Sequence, residues 1–386
     1  GSEMCIRDRG GIVKRFIYAD NAATTQLDID AFEAMQPYLL EEYGNASQPY
    51  SFARAPKKAL RESREIIAQC IGAQPDEIFF TSGGTESNNW AIKGTAFLDP
   101  EKHGFITSAI EHHAILRPCA DIERMGYPVF YLPVDSTGKV NTATLSEHIA
   151  PDTRLVSIMA ANNEIGSIQD IPALAAIAHS VGAMFHTDAV QAVGHIKIDV
   201  NDLGVDMLSA SAHKFHGPKG IGFLYVRKGT PLAPYASGGS QENHMRAGTE
   251  NIASIVGMAA ALKKCVDGLK DTAEHLTRLE TKLIMGLSDA NVRFSRNGSA
   301  AHIPGNISLS FPGYSGEALL HRLDLMGICV STGSACNSRE TQISHVLQAI
   351  KLEPELAKGT IRLSLGKNNT EGDIDEIVDA LLRILK

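Results

Sequence analysis

The sequence is short of several things, and each shortage closes a class of function. No stretch approaches the roughly 20 apolar residues that a membrane-crossing helix requires. Basic residues do not outnumber acidic ones: 36 Lys and Arg stand against 44 Asp and Glu, for a net charge of -8 over 386 residues. A nucleic-acid surface depends on clustered positive charge, so neither nucleic acid nor membrane is expected as a direct partner. The six cysteines (Cys5, Cys70, Cys119, Cys265, Cys329 and Cys336) form no CxxC pair and no metal-ligand spacing. No metal is expected, and scattered thiols in a chain of this length fit a reduced, cytoplasmic protein. Residues 1–14 lack both apolar periodicity and the apolar centre of a secretory signal. Gly1-Ser2 resembles a cloning scar, and the segment reads as an extension or tag outside the fold.

What is present is ordinary globular material, 44% hydrophobic and 21% charged, enough for a large core and two domains. From Phe16 to Val226 strand-like and helical segments alternate. Asp28–Glu42, Ala53–Ile71, Ala114–Met125, Thr142–Ile149 and Pro172–Val181 read as helices. Asp76–Phe80, Gly104–Thr107, Val129–Leu132, Leu155–Met159, Ala183–His186, Val205–Ser209 and Gly220–Val226 read as strands. This rhythm predicts an α/β fold with a mostly parallel sheet covered by helices. Near Gly248 it changes. Asn251–Leu287 is long and helical, with an interruption around 267–270, and short strands and helices follow, as in a smaller α+β domain.

Several polar constellations fall at the ends of these elements. Thr81-Ser-Gly-Gly-Thr85 joins a strand to a helix, where unpaired N–H groups favour an anion; it serves equally as a structural turn. Asp188 follows an apolar strand, at the edge where parallel sheets bind ligands; it also suits a helix cap. Lys214 lies in a polar loop, SASAHKFHGPKG, between two strands. A free lysine, with a pKa near 10.4, attacks carbonyls only when desolvation or a neighbouring cation lowers that value. An anion cradle, a carboxylate and an amine on three neighbouring edges are the three handles of pyridoxal 5′-phosphate, PLP. His112 and His113 open a helix, and one of them could stack on a planar cofactor. Cys336 sits in a Ser- and Gly-rich stretch, VSTGSACNS, that would leave a thiol accessible. Arg362, flanked by Ile and Leu, either meets a carboxylate in a bidentate pair or faces solvent from an edge strand.

With these residues goes a set of longer motifs in a fixed order: YADNAATT, YGNASQ, FFTSGGTESNNWAIKG, IEHHAIL, ANNEIGSIQDI, FHTDAVQAVG, SASAHKFHGPKGIG, MRAGTEN, STGSACNS, SHVL and GTIRLSLG. From about Ile17 to the C-terminus the sequence resembles cysteine desulfurases of the NifS/IscS type, within the class-V, fold-type-I PLP-dependent aminotransferase superfamily. The resemblance implies a large PLP-binding domain over 31–260 with a mostly parallel seven-stranded sheet. A smaller C-terminal α+β domain over 261–386 would carry the Cys336 loop, with residues 15–30 packing against it.

The resemblance also distributes roles. Lys214 would hold PLP as a Schiff base and later move the substrate's Cα proton. Asp188 would pair with the ring nitrogen, Gln191 with the phenolic oxygen, and His112 would stack on the ring and transfer protons. Gly84, Thr85, Ser211 and His213 would hold the phosphate, joined by Thr249 from the partner of a homodimer. Asn163 and Arg362 would orient the substrate. Cys336 would take sulfur from L-cysteine as a persulfide, leaving L-alanine, and pass it to an acceptor protein such as an iron–sulfur scaffold. Two departures stand out. GGSQENHMRAGTEN replaces a more Gly-rich stretch, and Ile343 stands where a proline commonly precedes SHVL. Neither removes a chemical group. A selenocysteine lyase, or another class-V lyase or aminotransferase, shares the PLP residues and differs at Cys336. A sulfur-relay binding protein would need neither Lys214 nor Asp188.

Overall fold

The computed structural model describes residues 15–96, 98, 102–332 and 343–385. In chain order the elements are β1 (Ile17–Tyr18), α1 (Ile29–Leu40), α2 (Arg54–Ile71), β2 (Ile78–Thr81), α3 (Gly84–Ala96), β3 (Gly104–Ser108), α4 (His113–Arg124) and β4 (Val129–Leu132). Then come α5 (Thr142–His148), β5 (Thr153–Ser157), α6 (Ile171–Ser180), β6 (Met184–Asp188), α7 (Val200–Leu203), β7 (Met207–Ser211), β8 (Gly222–Val226), α8 (Ile252–Asp267) and α9 (Leu269–Asp289). The chain closes with β9 (Ser295–Asn297), β10 (Asn306–Ser310), α10 (Gly316–Leu325), β11 (Ile328–Cys329), α11 (His345–Ala349), α12 (Pro354–Lys358), β12 (Thr360–Ser364) and α13 (Glu371–Leu385).

Local chemistry sets many of the boundaries. Asp28 caps α1 by accepting from the Asp30 N–H, which supplies one of the partners that a helix start lacks. Gly72 closes α2 in the left-handed conformation, at φ 72°. Pro172 stands in the first turn of α6, where its missing N–H is harmless. The helical run after Asn251 does break where expected, at Gly268, between α8 and α9.

A seven-stranded sheet runs in the order β2-β8-β7-β6-β5-β3-β4. Neighbours from β7 to β4 are parallel, and β8 alone runs against its two neighbours, β7 and β2. The expected mostly parallel α/β sheet is therefore present. Its inner strands β5, β7 and β8 are buried end to end, and β7, Met-Leu-Ser-Ala-Ser, reads as a continuous run of apolar and small residues, whereas the edge strand β4 is mostly open. One large hydrophobic cluster packs on this sheet, with Val156, Phe185 and Leu208 fully enclosed, and a satellite around Trp90 takes up the alternate strand residues Phe105, Leu155 and Leu224; each such enclosed side chain contributes about 1.5–3 kcal/mol. A second cluster is formed by α9, α10, α13 and the sheet β12-β10-β9, with Leu283, Leu309 and Leu363 at its centre.

Two details of connection matter for the site. β1 pairs in parallel with β11, and Ile17 and Ala19 belong to the second cluster, so the first strand lodges with the C-terminal region. The division expected at 260/261 falls inside α8, which is one uninterrupted helix to Asp267. Ala261 and Leu262 remain in the first cluster, because α8 packs along α1 and α2 as a single amphipathic face. The change of core comes after Gly268.

Candidate active site

The floor of the site is a row of strand ends. Because β2 and β7 both oppose β8, Thr81 and Ser211 emerge at the same edge, with Gly222 registered between them. Gly222 has no room for a side chain: a Cβ there would lie 2.4 Å from the Ala210 carbonyl oxygen and 2.7 Å from Gly83 Cα. The Ser82-Gly83-Gly84 turn can thus pass directly over the sheet and open α3 at Gly84. Gly84 is itself tight, since a Cβ would meet Val190 Cγ2 at 2.5 Å. The N-terminus of α3, with its unpaired N–H groups and positive dipole end, faces a cavity of about 360 Å³ lined by Ser82, Thr85, Ser211, His213 and Thr24. His213 Nδ1 is 3.2 Å from Thr24 Oγ1. Burial, with Lys214 and Lys219 adding, pulls the His213 pKa down to about 4, so it is a neutral hydrogen-bonding group.

A second cavity, of about 390 Å³, shares Gly84, Thr85, Ser211 and His213 with the first and adds Asp188, Gln191, His112, Lys214, Asn163 and Arg362. Asp188 ends β6 and is buried. Its Oδ2 accepts from Asn88 Nδ2 at 2.7 Å and its Oδ1 from the Val190 N–H at 3.0 Å. Both bonds fix the orientation of the carboxylate. The other amide atom, Asn88 Oδ1, is buried with no hydrogen-bond partner among the described residues. Lys214 stands in a short 3-10 turn directly after β7, and its Nζ donates to the carbonyls of Ala22 and Ala23, both at 2.7 Å. Gln191 Nε2 donates to the same Ala22 carbonyl at 2.9 Å. The Lys214 backbone is fixed from below, where its carbonyl lies 2.9 Å from His195 Nε2.

His112 is the N-cap of α4. Its Nδ1 accepts from the Ala114 N–H at 3.1 Å, which leaves Nε2 to carry the proton of the neutral ring. Desolvation by the cavity walls lowers its pKa; Asp188 pulls the other way, and Lys214 and His113 add to the lowering. Beneath it, Glu111 is fully enclosed. Ser108 Oγ and the Met159 N–H donate to Oε1 at 2.6 and 2.9 Å, while Oε2 is buried without a hydrogen-bond partner. Burial drives its pKa up to about 8 against those two bonds, with the Asp188 charge adding to the rise.

The facing wall comes from the C-terminal region. Arg362 on β12 is buried; Nη1 donates to the Asn163 carbonyl at 3.0 Å and Nη2 to Asp20 Oδ1 at 2.6 Å. Its Nε–H is buried and has no hydrogen-bond partner among the described residues. The solvent-facing alternative for Arg362 is thereby excluded. Ser331 and Thr332 line the cavity, and so does His345. Cys336 lies outside the described residues, in the segment between Thr332 and Ile343. Thr249 is exposed and does not line either cavity. Its loop is tied to the cradle, because Arg246 makes a bidentate pair with Glu86 in the first turn of α3, at 2.8 and 3.2 Å.

The structure thus brings together Lys214, Asp188, Gln191, His112, Gly84, Thr85, Ser211, His213, Asn163 and Arg362. It adds residues that the motifs did not single out: Asn88, Asp20, Glu111, Glu164 and His345. Asn88 was within reach of sequence reasoning, since it stands four residues after Gly84 and so on the same helix face. Asp20 and Glu164 act across more than a hundred residues of chain, and no local spacing announces them. The set fits PLP on its own chemistry. A buried carboxylate that accepts two hydrogen bonds shares a cavity with an amine, an imidazole opens onto the same space, and a helix N-terminus opened by a glycine with no room for a side chain supplies an anion cradle.

Comparison with known proteins agrees with this geometry. The aminotransferase class-V family matches residues 17–377. A cysteine desulfurase IscS of Dictyoglomus turgidum is 49% identical over 376 residues, covering 97% of this chain and 95% of that protein. One from Clostridium botulinum is 44% identical, covering 96% and 94%. Among solved structures, a NifS-like protein superposes with a TM-score of 0.91 at 39% identity, over 96% of this chain and 99% of that one. SspA in complex with cysteine gives 0.82 at 36% identity, over 92% and 100%.

Proposed function

The chain belongs to the aminotransferase class-V family, and we propose that within it the protein is a PLP-dependent cysteine desulfurase that converts L-cysteine to L-alanine. The observation that carries this reading is the convergence of Lys214, Asp188 and His112 with a substrate-side arginine, Arg362, in one cavity. When bound, PLP supplies an aldehyde for an amine to condense with and a conjugated ring that draws electrons from the substrate's Cα.

The residues would divide the work as follows. Gly84, Thr85, Ser211 and His213 would hold the phosphate at the N-terminus of α3. Asp188, oriented by Asn88 and the Val190 N–H, would hold a proton on the ring nitrogen. Gln191 would bond the ring's phenolic oxygen. His112, neutral and protonated at Nε2, would stack on the ring and transfer protons. Lys214 would anchor the cofactor and then carry the Cα proton; two backbone carbonyls already mark its resting place. Arg362 and Asn163 would orient the substrate carboxylate, which suits the unused Nε–H of Arg362.

Cys336 would act last. Its thiolate forms an S–S bond with the substrate sulfur as the Cβ–Sγ bond breaks, which leaves a persulfide on Cys336; protonation of the carbon skeleton gives alanine. Thr332 lines the cavity, and four residues extend at most about 14 Å, so Cys336 is within chain reach of it. The acceptor of this sulfur would be a protein such as an iron–sulfur scaffold. The enzyme would be a cytoplasmic homodimer, with Thr249 reaching the partner's cradle. A dimer is supported by the exposed Ile29, Leu39, Leu40 and Tyr43 in and after α1.

The test is direct. The protein purified with PLP should absorb in the visible and release one alanine per sulfur transferred from L-cysteine. Cys336→Ala should form no protein persulfide, and a variant that still forms it would sink the assignment.

A further inference from the structure

Residues 162–164 form a short strip between the floor and the wall, and each is used differently. Asn162 is fully buried. Its Nδ2 donates to the Ile110 carbonyl at 2.9 Å, and its Oδ1 accepts from the N–H groups of Glu164 and Ile165 at 2.8 and 3.0 Å. That nails the strip to the chain just before His112. Asn163 gives its carbonyl to Arg362. Glu164, 7% exposed, turns its carboxyl to Ser344, whose Oγ lies 2.5 Å from Oε2. Ser344 in turn caps α11, accepting from the Val346 N–H at 3.1 Å.

The bonds at the two ends of the Cys336 stretch differ in kind. Ser331 exchanges two backbone bonds with Arg362, at 2.7 and 3.0 Å, and so follows β12 whatever the side chains are. The downstream end is held by Glu164 on Ser344, by His345 Nε2 on the Glu111 carbonyl, 2.9 Å away, and by Gln348 Nε2, which donates to the Ile343 carbonyl at 2.7 Å. Only the first of these depends on a carboxylate. Burial raises the Glu164 pKa to about 7, against the bond from Ser344 and the charge of Arg362, both of which favour the ionised form. One short strip therefore connects the group that would receive the substrate with the residue that starts α11.

We propose that Glu164 is a positioning residue for sulfur transfer. By fixing Ser344 it sets where the downstream end of the Cys336 stretch stands relative to the cavity, without touching the reacting atoms itself. The inference rests on Cys336 being the sulfur carrier. Transfer between sulfurs needs contact geometry, and a misplacement of about 1 Å costs about 10²-fold in rate. Substrate binding at Arg362 and the floor has no such dependence on Ser344.

The experiment uses the PLP-loaded enzyme and separates binding from transfer. The absorbance change on adding L-cysteine reports binding, and single-turnover labelling of the protein persulfide reports transfer. Glu164→Ala should slow transfer by about tenfold or more, the worth of a charge-assisted hydrogen bond, and leave half-saturation within about twofold. Glu164→Gln, whose amide oxygen can accept from Ser344 in the same volume, should stay within about threefold of wild type. Ser344→Ala, which also removes the cap of α11, should slow transfer at least as much as Glu164→Ala, and the double variant should be no slower than Ser344→Ala alone. If Glu164→Ala does not fold, Ser344→Asp, which can still cap α11 but offers Glu164 no hydroxyl, removes the same bond from the other side and decides the matter. Equal losses in binding and transfer would make Glu164 a substrate ligand and overturn the proposal. Independent, multiplying effects of the two substitutions, or no loss, would overturn it too. A persulfide that persists in Cys336→Ala would instead refute the carrier assignment.

Discussion

Asp188 and Lys214 are placed by adjacent strands of one sheet, whereas Arg362 and Ser344 reach the same cavity from the far end of the chain. The floor is fixed by register: β6 and β7 pair in parallel, Asp188 against Ser209, and Lys214 follows β7 by three residues. Even the histidine beneath it is locked. His186 lies within 2.8 and 2.9 Å of Ser157 Oγ and Ser209 Oγ on the flanking strands, and burial holds its pKa near 3, so it is a neutral core residue. The wall depends on the meeting of two cores. Arg362 hangs from β12 in the second cluster, yet its bonds run to Asp20 and Asn163. The difference separates two duties. Floor residues, already positioned by the sheet, determine the chemistry; wall residues determine both where the substrate sits and how firmly the two cores are joined.

The sharpest test of that separation is Asp188→Ala. It deletes the anion beneath the cavity and leaves the Asn88 amide and the Val190 N–H without their acceptor. Loss of one preorganised electrostatic group costs about 10²–10³-fold in kcat, and the KM for L-cysteine should change little. Steady-state alanine formation measures both, and the absorbance of the loaded enzyme shows whether cofactor is retained. If KM rose with kcat unchanged, the floor would be a binding surface and the comparison would fail.

Arg362→Ala should give the opposite pattern. Losing a charge-assisted pair of about 1.5–3 kcal/mol should raise the KM for L-cysteine about 10- to 100-fold. It should also lower the unfolding temperature, since Asp20 and the Asn163 carbonyl lose the group that links them. Arg362→Lys should rescue little of either, because one ammonium cannot span two acceptors as a guanidinium fork does. An Arg362→Ala enzyme with normal KM and reduced kcat would move Arg362 from the wall to the chemistry.

How much was legible in the sequence follows the same division. The floor was readable because its residues stand at the ends of long apolar runs, and each run is a strand whose polar terminus faces the ligand edge. The order of those strands was not readable, nor was the reversal of β8, because register depends on partners far along the chain. β9 escaped notice for a local reason: Ser295-Arg-Asn297 has no apolar alternation and is held only by pairing with β10. The division expected at 260/261 falls inside α8 because composition changes gradually there, while the helix itself ends only at Gly268. On the wall, Arg362 could be flagged as a misfit between Ile361 and Leu363. Its partner Asp20, 342 residues away, could not.

Glu111 lies where floor and wall touch, its side chain bonded to β3 and the segment after β5, its carbonyl to His345. It provides the smallest and most specific test. Its carboxyl, ordinarily near 4.5, is raised to about 8, chiefly by burial and further by Asp188. Between those values the folded protein holds a proton that the unfolded chain has released. Its stabilising contribution is therefore complete below about pH 4.5 and declines as pH rises towards 8, by at most about 1.4 kcal/mol per pH unit. Glu111→Gln can keep the bonds from Ser108 and Met159 through its amide oxygen and cannot ionise. The variant should match wild type in unfolding temperature near pH 5 and exceed it by a few degrees near pH 8, with the gap widening through the interval. A constant gap, or one that widens towards acid, would mean that Glu111 is ionised in the folded protein. The junction of floor and wall would then carry a second negative charge beside Asp188.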